Sequence, residues 1–152
     1  MFVEIFNITL PIIVLLFLAV ITGMDFRDMK VPSALTSAFI LILAFIRLEN
    51  LPYAVLMFIF AWFLFDAGEG GISGVADMKA LIIIGFMLNS IYSVIGFLFL
   101  YAFASTGWRI IAKYIFKYEH KVPYLIVFVA CYFPFVIAFV MHKLGLLARS
   151  FI

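Results

Sequence analysis

The chain has 152 residues, 68% of them apolar and 12% charged, with 20 Phe and a mean hydropathy of +1.31. A soluble domain of this size has too little interior to hide that much hydrocarbon, so the composition implies an integral membrane protein. A net charge of +2, spread thinly between apolar runs, excludes a nucleic-acid surface, and the single cysteine, Cys131, excludes an intrachain disulfide or a multi-cysteine zinc site.

In chain order, the first apolar block runs from about Ile5 to Met24 and ends in the cluster Asp25, Arg27, Asp28, Lys30. Glu4 and no basic residue precedes it, so it reads as a retained span and not as a secretory leader. The second block, from Pro32 or Ser33 to Ile46, is closed by a turn containing Arg47, Glu49, Asn50 and Pro52. The third, Tyr53 to Phe65, stops at Asp66-Ala-Gly-Glu-Gly-Gly, where three glycines in six residues break a helix before a loop to Asp77. The fourth, Ala80 to Gly107, is 28 residues without a charge and carries Asn89-Ser90 in its first half, so it is one long tilted helix or two helices joined by a turn. The last runs from Pro123 to Met141, with Pro134 as a kink. No repeat or second domain interrupts residues 1–152, which read as a single membrane-embedded domain.

Basic residues choose between five and six spans. With a turn at Asn89-Ser90, Arg27, Lys30, Lys79, Arg109, Lys113, Lys117 and Lys121 share one side, seven against the three of Arg47, Lys143 and Arg149. Without the turn the count is five against five. The expected architecture is therefore an all-α polytopic bundle of six transmembrane helices with both termini outside, five being the alternative. The fourth span, about Met78 to Leu88, would cover only about half of the hydrocarbon at roughly 1.5 Å per residue, leaving a polar start near the membrane or a thinned bilayer. Arg109, Lys113 and Lys117, spaced by four among Trp108, Ile111, Ile115 and Phe116, suit a helix end that leaves the membrane through an interfacial collar.

In the six-span arrangement Asp25, closing span one, and Asp77, opening span four, both lie at the cytoplasmic face and meet if those helices pack together. Two carboxylates that meet cannot both ionise cheaply; sharing a proton lets one activate water while the other protonates a leaving amide. Gly70, Gly71 and Gly74 ahead of Asp77 let backbone approach an extended substrate strand. Carboxylates at a membrane boundary also serve as plain interfacial caps, and spacing does not separate the two roles.

Asp25-Phe-Arg-Asp-Met-Lys-Val-Pro32 resembles the first signature of the type IV prepilin and preflagellin (archaellin) peptidases, and Gly74-Val-Ala-Asp77-Met-Lys79 resembles their Gly-x-Gly-Asp-x-Lys signature at the start of span four. Lys121-Val-Pro123-Tyr124 is a weaker third likeness. The resemblance covers nearly the whole chain in order and spacing. It implies a membrane aspartic endopeptidase that cuts the short basic leader from pilin-like or archaellin precursors at the cytoplasmic face of the cell membrane, with Asp25 and Asp77 as the catalytic dyad. Ala76 stands where the signature usually has glycine. The extra cytoplasmic region with paired cysteines, which accompanies N-methylation in many bacterial members, is absent, so peptidase activity without methyltransferase is expected. A basic leader gives Asp28, Asp66 and Glu69 a substrate-binding role, with Gly74 approaching the strand, and the alternative for these acids is a solvated loop. Lys79 either tunes the dyad or binds lipid phosphate, and snorkelling to the interface is its simpler role.

Other classes fit less well. Gly71-Ile-Ser73-Gly74 with His142 resembles the rhomboid serine proteases, but six spans put the two about 30 Å apart, and a nucleophile needs its base within hydrogen-bond reach. His120 lies on the right side but in a charged loop. An inactive pilin-binding scaffold or a small transporter would use the same boundary acids, although transporters place ionisable groups near the midplane and these spans hold almost none. The expected chemistry is water attack through a tetrahedral intermediate, with no metal, cofactor or acyl-enzyme. The expected partners are the precursor proteins and membrane lipid.

Overall fold

Helices end where charges and turn formers interrupt the apolar runs. The computed structural model describes residues 2–28, 31–66, 75–116, 125–143 and 145, with side chains for 8–25, 31–63, 75–116, 125–143 and 145. Among these the chain forms α1 (Phe2–Asp28), α2 (Ser33–Ile46), a 3-10 turn (Leu48–Asn50), α3 (Leu51–Asp66), α4 (Val75–Met87), α5 (Ile91–Tyr114) and α6 (Leu125–Lys143), with no strand among the described residues.

The long fourth block is two helices. Helix α4 stops at Met87, and Ser90, in an extended conformation, caps α5 by accepting a hydrogen bond from the Ser93 amide at 3.1 Å. A serine at this position satisfies one of the amides that a helix start leaves without an internal partner. Helix α1 runs past Met24 to Asp28, so Asp25 lies inside its last turn. Helix α6 continues through Pro134, as α1 continues through Pro11.

Three helices are long and apolar enough to cross a membrane: α1 through Ile8–Asp25, α5 and α6. A fourth crossing results if α2 and α3, which bend by 103° at their break, form one broken span. The bundle wears its hydrocarbon outward as lipid requires, with Phe45 88% exposed and Tyr92, Phe63 and Phe103 also on the surface.

Helix α4 is the core. Asp77, Met78, Ala80, Leu81 and every residue from Ile83 to Met87 are buried, and α1, α2, α3 and α6 all pack against it. A helix of 13 residues is about 20 Å long, shorter than a hydrocarbon core of about 30 Å, and enclosure by its neighbours removes any need to match lipid itself. Its closest neighbour is α3, which presents the small buried residues Ala54 and Ala61. A Cβ added at Gly85 would stand 2.6 Å from the Ala54 Cα, so only glycine lets these two backbones come so near.

Aromatic pairs fasten the rest. Tyr101 stacks on Phe128 at 5.1 Å between ring centroids and Phe97 meets Phe135 at 6.0 Å, a register that makes α5 and α6 antiparallel. Phe17 stacks on Phe39 at 3.9 Å, joining α1 to α2.

Candidate functional site

Polar contacts of α4 define the two ends of the bundle. At its start, the Lys79 ammonium donates to the Ser33 carbonyl at 3.1 Å, the Ser33 hydroxyl at 2.6 Å and the Ser37 hydroxyl at 2.7 Å. An ammonium has three protons, and this geometry supplies an acceptor for each. At its finish, the Asn50 amide nitrogen donates to the Phe86 carbonyl at 2.8 Å and to the Asn89 side-chain oxygen at 3.1 Å. Phe86 is one of the last carbonyls of α4, which lack partners inside the helix, so Asn50 acts as its distant cap. Helices α2 and α4 therefore run side by side in the same direction. The first turns of both lie at one end of the bundle, and the 3-10 turn lies with the Leu88–Ser90 break at the other.

This settles which residues share the first end. Ser33 opens α2 only five residues after Asp28 closes α1, so the end of α1 carrying Asp25 belongs with the start of α4 carrying Asp77. Helices α1 and α4 also contact one another directly. Asp25 is half-buried in the last turn of α1, and Asp77 is buried at 5% exposure in the first turn of α4, the most enclosed acid among those whose side chains are described. Ala76 precedes it, half-buried.

The remaining residues singled out from sequence fall as follows. Lys79 is half-buried and its ammonium is turned onto the first turn of α2, where two hydroxyls and a carbonyl accept from it. Asp28 ends α1 and Asp66 ends α3, but their side chains lie outside the described ones, and Glu69, Ser73, Gly74, His120 and Lys121-Val-Pro123-Tyr124 lie outside the described residues altogether. His142 is exposed in the last turn of α6, whose other end faces the Asp77 end of the bundle. No group of three or more potential metal ligands occurs among the described residues.

Sequence reasoning assigned no role to Ser33, Ser37 or Asn50, although each makes a contact that orients α4. The Asn50 signal was its place in a turn that closes an apolar run; nothing local in the sequence says which carbonyl, 36 residues away, it serves. No family model, curated protein or solved structure matches the chain.

Proposed function

We propose that the chain is a membrane aspartic endopeptidase that removes the short basic leader from type IV pilin-like or archaellin precursors. The observation that carries this reading is the enclosure of Asp77 at the bundle end shared with Asp25. A carboxylate taken out of water is costly unless something compensates it, and buried acids among membrane helices cluster at sites of chemistry. The resemblance of the segments around both aspartates to the two peptidase signatures supplies the reaction class.

In this reading six helices cross the membrane, with the shared end of α1, α2 and α4 at the cytoplasmic face. Asp25 and Asp77 share a proton; the ionised carboxylate takes a proton from a bound water, the water oxygen attacks the scissile carbonyl, and the protonated carboxyl gives its proton to the departing amine. The apolar segment of the precursor packs against the bundle, and its basic leader stays at the rim near Asp28, Asp66 and Glu69. Gly74 leaves room for the substrate strand, and Lys79 holds α4 in register with α2, so that Asp77 keeps its place.

The test is cleavage of pilin-like and archaellin-like precursors by the purified protein in lipid. Wild type should cut one class, and Asp25→Asn and Asp77→Asn should each abolish cutting while still binding precursor. Unchanged cutting by either variant would refute the dyad, and binding without cutting by wild type would favour the scaffold reading.

A further inference from the structure

At the end of the bundle opposite Asp77, a cavity of about 270 Å³ lies between α1, α4, α5 and α6. Asn89, in the break after α4, and His142, in the last turn of α6, line it and are both exposed. Tyr132 also lines it, ten residues before His142 and so about 15 Å deeper along α6. Polar groups therefore run through the depth of the cavity and are not confined to its opening.

A hydroxyl taken from water into a membrane bundle is costly without a partner. Tyr132 is 2% exposed, yet among the described residues its hydroxyl has no hydrogen-bond partner. Every fully buried side-chain nitrogen or oxygen among them does have one, so the Tyr132 oxygen is not sealed by protein and opens into the cavity. Ser93 brings a half-buried hydroxyl to the α5 wall. On the α1 wall, Pro11 has no amide proton for the carbonyl of the preceding turn, a need that water commonly meets in membrane helices. One water requires about 10–15 Å³ and two to four polar partners, and the cavity offers room and partners for several.

We propose that this cavity is a water-filled vestibule, open to the aqueous phase at the bundle end opposite Asp77, which reaches the Tyr132 hydroxyl and admits small polar solutes. The short helix α4 then meets water and not hydrocarbon at its far end, since Asn89 just beyond it lines the same space. An acyl chain in that place would leave the Tyr132 hydroxyl unpaired.

The experiment uses the protein in proteoliposomes with Cys131→Ala, so that an introduced thiol is the only one. Val136 is 5% exposed and lines the cavity, whereas its neighbour Ile137 is 42% exposed and does not. A thiol in water ionises and reacts, and one in apolar surroundings stays protonated and inert. Val136→Cys should therefore react with the anionic, membrane-impermeant sulfonatoethyl methanethiosulfonate about tenfold faster than Ile137→Cys, although it is the more enclosed position. Ser93→Cys, on the α5 wall, should react likewise, and it decides the matter if Val136→Cys does not fold. Reaction at Val136→Cys no faster than at Ile137→Cys, or an unreactive Ser93→Cys, would overturn the proposal and leave a cavity closed to water or filled by an acyl chain. Neither outcome depends on the peptidase reading.

Discussion

Asp77 stands in the first turn of α4 and Asp25 in the last turn of α1. In the proposed dyad the two share one proton, so infrared difference spectra should show a protonated-carboxyl stretch that Asp25→Asn or Asp77→Asn removes; no such stretch in wild type would contradict the shared proton. Cleavage should fall at low pH, when both carboxyls are protonated, and at high pH, when neither is, giving a bell-shaped profile. That Asp25 closes one apolar run and Asp77 opens another was legible in the sequence; that Asp77 would be buried and Asp25 only half-buried was not, since it depends on how the helices pack.

Two contacts hold α4 in place, and each makes a measurable claim. Gly85→Ala would drive a methyl into the Ala54 backbone, and because the obstructing atoms are main chain, shortening Ala54 to glycine should not rescue it. An overpacked helix crossing of this kind costs about 1–3 kcal/mol, visible as a lower melting temperature in detergent. Lys79→Met would remove all three bonds to Ser33 and Ser37. The start of α4 should then loosen from α2, lowering the cleavage rate more than precursor binding; equal loss of both would point to direct substrate contact instead. Element boundaries were largely readable from charge and glycine. The turn at Asn89-Ser90 was found by counting basic residues on each side, and Ser90 caps α5 there. The partners of Lys79 were not readable, since Ser33 and Ser37 lie 46 and 42 residues away in the chain.

At the scale of the molecule, apolar composition announced a membrane protein but could not separate core from lipid-facing surface. Helix α4 and helix α5 are both almost wholly apolar along their membrane stretches, yet α4 is enclosed and α5 lies mostly on the surface. In water an apolar stripe marks the inward face; in lipid both faces are apolar and packing is decided by small residues such as Gly85, Ala54 and Ala61. The short fourth helix, read as a span poorly matched to the bilayer, is better understood as a buried axis that carries Asp77 at one end and the Asn50 cap at the other.

The most direct test of the peptidase account is the intact mass of a pilin-like or archaellin-like precursor after incubation with the purified protein in lipid. One new species should appear, lighter by the basic leader and beginning at the apolar segment, and none should appear with Asp77→Asn. A precursor that binds wild type and keeps its full mass would contradict the account.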